Sequence, residues 1–191
     1  MENWKDYCSE ENFLGIGSTR KVYRAGDKVI KVHLHPIGYE QSMQEKLIYQ
    51  VMERLGYQSF FAQMMEVYEE YAVQAFASPL ALKDFQTYDL SNEDQRLTSE
   101  HLKLIELLDC EFDSFDLKDS GNFGMDDNGR LIFIDYGMTK KRYEQEWVPE
   151  ADAGLIPQIY FEACQSCGIE KELRIYGEHD QDRRCVECGK C

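Results

Sequence analysis

An α+β fold with a small cysteine-bearing appendage is what the sequence predicts, and three observations predict it. Strand-like runs come first, then a helix, two more strands, a second helix and a hairpin, without the alternation that builds a parallel sheet. The 191 residues, 43% hydrophobic and 13% aromatic, suffice for a sizeable core in one domain. Five of the seven cysteines fall between Cys164 and Cys191, which marks a compositional boundary.

Phe13 to Val32 reads as three strands, "FLGIG", "RKVYRA" and "KVIKVHL", the last two joined by a turn at Gly26-Asp27. Gln41 to Leu55 reads as a helix, because Met43, Leu47, Val51 and Leu55 recur near helical spacing, and Gly56 ends it. "EVYEEYAVQAF" gives two strands broken near Glu69-Glu70, and "SPL" a turn. Ser99 to Leu108 is a second amphipathic helix with Ser99 as N-cap. "NFGM" and "RLIFI" are short strands around the turn "DDNG". Between Glu144 and Gln165 the chain is expected to be helical from Asp152 onward, and "LRIYG" is a strand within the cysteine segment.

Charge narrows the function. Against 36 acidic residues stand 21 basic ones, a net charge of −15. Non-specific nucleic-acid binding and attachment to an anionic membrane both need a basic field, so neither is expected. The opening "MENWKDYCSEENF" has no apolar core of a secretion signal, and no stretch approaches the roughly 18 apolar residues of a spanning helix. A soluble, cytoplasmic protein is the expectation, with its cysteines reduced rather than paired in structural disulfides.

Several residues carry chemistry. Gly15, Gly17 and Val22 are spaced G-x-G-x-x-x-x-V between two strands. Such a loop lets backbone N–H groups approach phosphate oxygens, although a plain strand turn has the same spacing. Lys31 sits inside the apolar strand "VIKVHL". It is either an edge lysine facing water or a buried ammonium that needs a carboxylate, with Glu45 on the next helix better placed than Glu40 or Glu53. "DLKDSGN" offers Asp116, Asp119 and Asn122 just ahead of Asp135-Tyr136-Gly137. Asn122 with Asp135 is an oxygen pair suited to Mg²⁺, and an aspartate before them can orient or deprotonate a hydroxyl. The other reading of Asp135 is the cap of a hairpin turn.

From about Phe13 to Gly137, this order of motifs resembles the protein-kinase-like superfamily, in particular its small, divergent bacterial and phage members. The resemblance covers about two-thirds of the chain. It implies a minimal two-lobed kinase-like domain over residues 1–160, with an N-lobe over about 1–76 and a reduced C-lobe over about 77–160. By the same resemblance, Gly15 and Gly17 cover the phosphates of ATP, and Lys31 contacts them while paired with Glu45. Val73 to Leu80 would be the hinge that meets the adenine, and Asn122 and Asp135 would hold Mg²⁺. Asp116 is the catalytic candidate and Asp119 the runner-up. The implied activity is ATP- and Mg²⁺-dependent phosphotransfer to a protein Ser or Thr hydroxyl.

Three features depart from the family pattern. Arg20 stands where the loop's third glycine belongs. Asp116 lies six residues before Asn122 instead of five, leaving Leu117 at the family position, and Ser114-Phe115 replace the preceding His-Arg. Only 26 residues separate Gly137 from Cys164, short for an activation segment with its supporting helices. These departures keep a second reading open, a nucleotide-binding pseudokinase that serves as an interaction module.

The tail carries the sharpest single signal. "CQSCG" and "CVECG" pair Cys164 with Cys167 and Cys185 with Cys188, with 17 residues between Cys167 and Cys185. Two C-x₂-C turns, each followed by a glycine, aim four thiolates at one Zn²⁺. Residues 161–191 therefore look like a zinc ribbon. Cys191 and His179 are alternative ligands, and free or redox-active cysteines are the plainer reading. Five basic against six acidic residues in the segment from Cys164 to Cys191 suggest a structural cap or a protein-binding role rather than nucleic-acid contact. A third reading makes the whole chain a zinc-ribbon adapter for a protein or nucleic-acid partner.

Overall fold

The computed structural model describes residues 3–190, so Cys191 lies outside the described residues. Strands β1 (Phe13–Ile16), β2 (Arg20–Ala25), β3 (Lys28–His33), β4 (Met64–Val67) and β5 (Tyr71–Ala75) form one sheet in the order β1-β2-β3-β5-β4. Each neighbouring pair is antiparallel, in keeping with an α+β rather than a βαβ plan. Gly26 turns β2 into β3 at φ 68°, the left-handed region a tight hairpin needs. Lys31 sits mid-strand between Val22 and Ala72.

Helix α1 (Pro36–Leu55) crosses between β3 and β4 and is longer than the expected span from Gln41. Pro36 opens it, His35 caps it by accepting from the Ile37 N–H, and Gly56 closes it in the left-handed conformation. The apolar stripe that marks the helix in the sequence does not face the core. Met43, Leu47 and Leu55 are exposed, whereas Ile37, Gln41, Ser42, Glu45, Ile48, Tyr49 and Met52 are buried. The buried face turns polar at its N-terminal end because a charged network lies there.

Helix α2 (Ser99–Phe112) is capped by Thr98, one residue before the expected Ser99, in a reciprocal box with His101. The Nε2 of His101 donates to the Leu131 carbonyl at 2.9 Å and so ties the helix to a hairpin. That hairpin is β7 (Phe123–Met125) with β8 (Leu131–Phe133), and β6 (Ser78–Pro79) adds a third strand. The expected turn at "SPL" is thus a short strand whose Pro79 stands at the sheet edge, where a missing N–H costs nothing. The main core joins these parts: Ile48 and Met52 of α1, Leu104 and Leu108 of α2, and Phe123, Phe133 and Tyr136 around the hairpin.

Between Lys140 and Ala163 the expectation fails. Residues 140–152 are helical, as α3 (Lys140–Arg142), a π-turn (Tyr143–Trp147) and α4 (Val148–Asp152), and the helix expected from Asp152 onward is absent. Gly154, at φ 73°, ends the helical run, and the β-favouring "QIYFEA" becomes β9 (Gln158–Ala163). β9 pairs antiparallel with β10 (Glu170–Ile175), the strand foreseen at "LRIYG". Among the described residues no helix is long and apolar enough to cross a membrane.

Candidate active site and cysteine cluster

β8 runs into Ile134 and Asp135, whose N–H groups both donate to the Asn122 carbonyl at 2.9 and 3.3 Å. Residues thirteen positions apart are thereby held side by side. Gly137, two residues on, has no side chain for a physical reason: a Cβ there would collide with the Gln41 carbonyl and the Glu45 side chain of α1. The glycine lets the end of the hairpin lie directly on α1, which brings Asp135 to Glu45.

Four charges meet at that junction. Lys31 donates to Glu45 Oε2 at 2.9 Å and to the Ile134 carbonyl at 2.7 Å. Arg20 donates to Glu45 Oε1 at 2.8 Å and to Asp135 Oδ1 at 2.5 Å. The Arg20, Lys31 and Glu45 side chains are 5, 6 and 0% exposed, so Lys31 is a buried, paired ammonium and not an edge lysine. Asp135 pairs with Arg20. Burial pushes the Asp135 carboxyl up, but Arg20 and then Lys31 outweigh it and hold it below the ordinary range. For Lys31, burial and the nearby Arg20 outweigh the pull of Glu45 and lower the ammonium's pKa. Two cations against two carboxylates leave the set formally balanced, which is how buried charge is tolerated.

The network floors a cleft of about 220 Å³. On the sheet side it is lined by Gly17, Ser18, Thr19, Arg20, Val22 and Lys31, and on the other by Phe115, Asp116, Asn122, Asp135 and an aromatic wall. Gly15 lies in β1 opposite Val22 and is not among the lining residues. Thr19 donates to the Gln41 side chain at 2.5 Å, fastening the glycine-rich turn to α1.

Asp116 and Asp119 part company. Asp116 adopts φ 57° and faces the cleft, and its backbone carbonyl accepts from the Asn122 side-chain amide at 2.5 Å. Desolvation first, then the like charges of Asp119, Asp89 and Asp135, push its carboxyl up to about 6. Asp119 caps the 3₁₀ turn Ser120–Asn122 by accepting from the Gly121 N–H at 2.7 Å, and it does not line the cleft.

Two contributions escape the sequence reading. Arg20 enters it only as a missing glycine, yet it bridges the two carboxylates. Strand alternation was the available signal, since Arg20 and Val22 lie two apart in β2 and both line the cleft. The aromatic wall is the other. Phe115 stacks on Tyr143 at 4.2 Å, and Tyr143 on Trp147 at 5.1 Å. Tyr143 and Trp147 bound the π-turn, a distortion frequent at functional sites.

The oxygen set beside the cleft suits a hard cation. The Asn122 amide nitrogen is committed to the Asp116 carbonyl, which leaves its oxygen available, and Asp135 keeps one carboxylate oxygen beyond the Arg20 bond.

The cysteine segment converges as expected. The sulfurs of Cys164, Cys167, Cys185 and Cys188 lie within 4.8 Å of one another, and all four are unpaired thiols. Tetrahedral Zn–S bonds of about 2.3 Å require sulfurs roughly 3.8 Å apart, so the donors fit. Gly168 and Gly189 follow each pair at φ 71° and 99°, the conformation each turn demands. The Cys167 N–H foremost, with those of Cys185 and Ser166, draws the Cys164 thiol down to about 6, while burial pushes Cys185 up to about 12. His179 stands outside the cluster, in a surface groove with Tyr176 and Asp180.

No protein-family model matches the chain, and no curated protein matches it. Among solved structures, it is similar to the Legionella pneumophila Lpg2603 kinase bound to IP6, at 17% identity and a TM-score of 0.42. The match covers 70% of this chain and 52% of that one, so the chain spans about half the length of the kinase it matches. At that distance the likeness assigns no residue a role.

Proposed function

We propose that this chain is an ATP- and Mg²⁺-dependent phosphotransferase of protein-kinase-like type, with a two-lobed domain closed around the cleft and a protein Ser or Thr hydroxyl as acceptor. One observation carries the reading. Lys31 of β3, Asp135 after β8, and Asp116 and Asn122 of the loop before β7 line one cleft with a glycine-bearing turn, and Glu45 of α1 is buried behind Lys31. Each residue type there has a task in phosphoryl transfer.

Glu45 and the Ile134 carbonyl hold Lys31 so that its charge faces the phosphates. In the Gly17–Thr19 turn the Gly17 N–H is taken by the Arg20 carbonyl, so the Ser18 and Thr19 N–H groups are the ones offered to phosphate oxygens, and Val22 offers an apolar surface to the base. Asp116, with a carboxyl near 6, is ionised at neutral pH yet basic enough to take the acceptor's proton. The Asn122 oxygen and the free oxygen of Asp135 would hold Mg²⁺, which when bound neutralises phosphate charge. Four thiolates suited to Zn²⁺ complete the cofactor set.

Arg20 favours a second reading, the nucleotide-binding pseudokinase. Its guanidinium already neutralises Asp135, the carboxylate that catalysis needs for the metal. Both readings require nucleotide in the cleft. Calorimetric titration of the zinc-loaded chain with ATP and Mg²⁺ is expected to show one site, weakened roughly tenfold or more by Lys31→Met, since charge-assisted hydrogen bonds contribute about 1.5–3 kcal/mol. Equal affinity in the variant would remove Lys31 from the site and the reading with it.

A further inference from the structure

The cysteine hairpin does not hang free of the cleft. β10 presents Glu172 and Arg174, two apart and hence on one face, to the two sides of the site. Arg174 is 3% exposed, and its guanidinium donates to the carbonyl of Gly17 in the glycine-bearing turn. A second arm of the same group bonds the Tyr176 hydroxyl at 3.0 Å, while Nε has no partner among the described residues. Burying a guanidinium against one loop carbonyl and one hydroxyl, with no carboxylate beside it among the described residues, is costly unless the rest of the fold enforces it.

Glu172 reaches the opposite side. Its carboxylate accepts from the Thr87 N–H at 2.7 Å, and Lys171 lies over the Phe85 ring at 5.1 Å. The turn they grip is strained: Asp84 and Phe85 both adopt positive φ, at 49° and 65°, between the mutually bonded Lys83 and Gln86. Non-glycine residues hold such angles only where their surroundings impose them. Beyond this turn the chain lies alongside the catalytic-candidate loop and is hydrogen-bonded to it. The Tyr88 N–H donates to Ser120 Oγ at 3.0 Å, the Ser120 N–H to the Tyr88 carbonyl and the Leu90 N–H to the Lys118 carbonyl, both at 2.9 Å.

We propose that the cysteine hairpin is a bridge that sets the spacing of the cleft, with Arg174 positioning the glycine-bearing turn and Glu172 positioning the Asp116–Asn122 loop through residues 83–90. The metal suited to the four cysteines holds the hairpin in shape, because among the described residues the hairpin's own core is Cys164, Leu173, Ile175, Cys185 and the half-buried Cys188. The bridge is geometric and independent of nucleotide; its value to phosphotransfer rests on the function proposed above.

Hydrogen exchange followed by mass spectrometry on the zinc-loaded full chain, without nucleotide, tests it. Arg174→Ala is expected to speed exchange of amides in residues 13–24 roughly tenfold or more while residues 158–175 stay protected. Glu172→Ala, which removes the acceptor, is expected to loosen residues 83–90 and 116–122 instead. Arg174→Lys keeps the charge without the fork and should fall between wild type and Arg174→Ala, which separates positioning from a general loss of folding. Chelating the metal from the wild type should loosen both sets together. The bridge is refuted if residues 13–24 exchange in Arg174→Ala as in wild type with the hairpin still protected, or if both variants loosen the whole chain evenly. A wild type that binds no ATP yet shows the selective pattern would sink the proposed function and leave the bridge standing.

Discussion

Asp116 shows how a carboxylate held in the cleft weakens the fold that holds it. Desolvation and the charges of Asp119, Asp89 and Asp135 raise its carboxyl to about 6, against an ordinary value of 3.8. Between those values the folded chain binds this proton more tightly than the unfolded one, so this group's contribution to stability falls as pH rises from about 4 to above 6. Asp116→Asn removes the penalty. Thermal melts across that range should show variant and wild type nearly alike at pH 4 and below, with the variant melting progressively higher as pH rises from about 4 to 6 and the gap level above about 7. A gap that does not change with pH would mean that the carboxyl is unperturbed. Lys31, Glu45, Asn122 and Asp135 were legible because each belongs to a local pattern. Arg20 was not, because its partner Asp135 lies 115 positions away and no local pattern spans that distance. Asp119 was equally legible as a carboxylate, but only its bond to the Gly121 N–H reveals a turn cap.

Among the elements, strands were read more accurately than helices, for a physical reason. The β1–β3 hairpins announce themselves by alternation and by Gly26, whereas the "KKRYEQEWVPE" run hides its helix behind charges and Pro149, which is acceptable at the start of α4. In α1 the apolar spacing identified a helix but not its inward face, since the site needs Gln41, Ser42 and Glu45 there. The cysteine hairpin was the most legible element, because metal-ligand spacing is a local property of each C-x₂-C turn. Its predicted behaviour is equally definite. Cobalt in place of zinc should bind once per chain with the thiolate charge-transfer absorption of a four-sulfur site. Cys164→Ser and Cys188→Ser should each weaken that absorption, and chelation should unfold the hairpin as seen by exchange of residues 158–175. Unchanged spectra in both variants would shift the ligand set toward other residues.

At the scale of the molecule, the order of elements up to Tyr136 was readable, and with it the α+β class. What brings the parts together was not. Gly137 against Gln41, Arg174 against Gly17 and Glu172 against Thr87 are contacts between segments distant in sequence, made by residues ordinary in isolation. Replacing a whole buried ion pair such as Lys31–Glu45 by apolar residues is often neutral or stabilising, so stability alone gives no reason for four charges at one junction, and we read the network as serving the cleft. That use is the central claim, and transfer of the γ-phosphoryl group tests it most directly. The zinc-loaded chain is incubated with γ-phosphate-labelled ATP, Mg²⁺ and a mixture of Ser- and Thr-containing peptides, beside Asp116→Asn and Asp135→Asn. The account predicts label on peptide, on the chain itself or as released phosphate, reduced about 10²–10⁴-fold in Asp116→Asn and abolished in Asp135→Asn. Bound ATP with no label moved by the wild type would contradict it and leave the pseudokinase as the reading of this cleft.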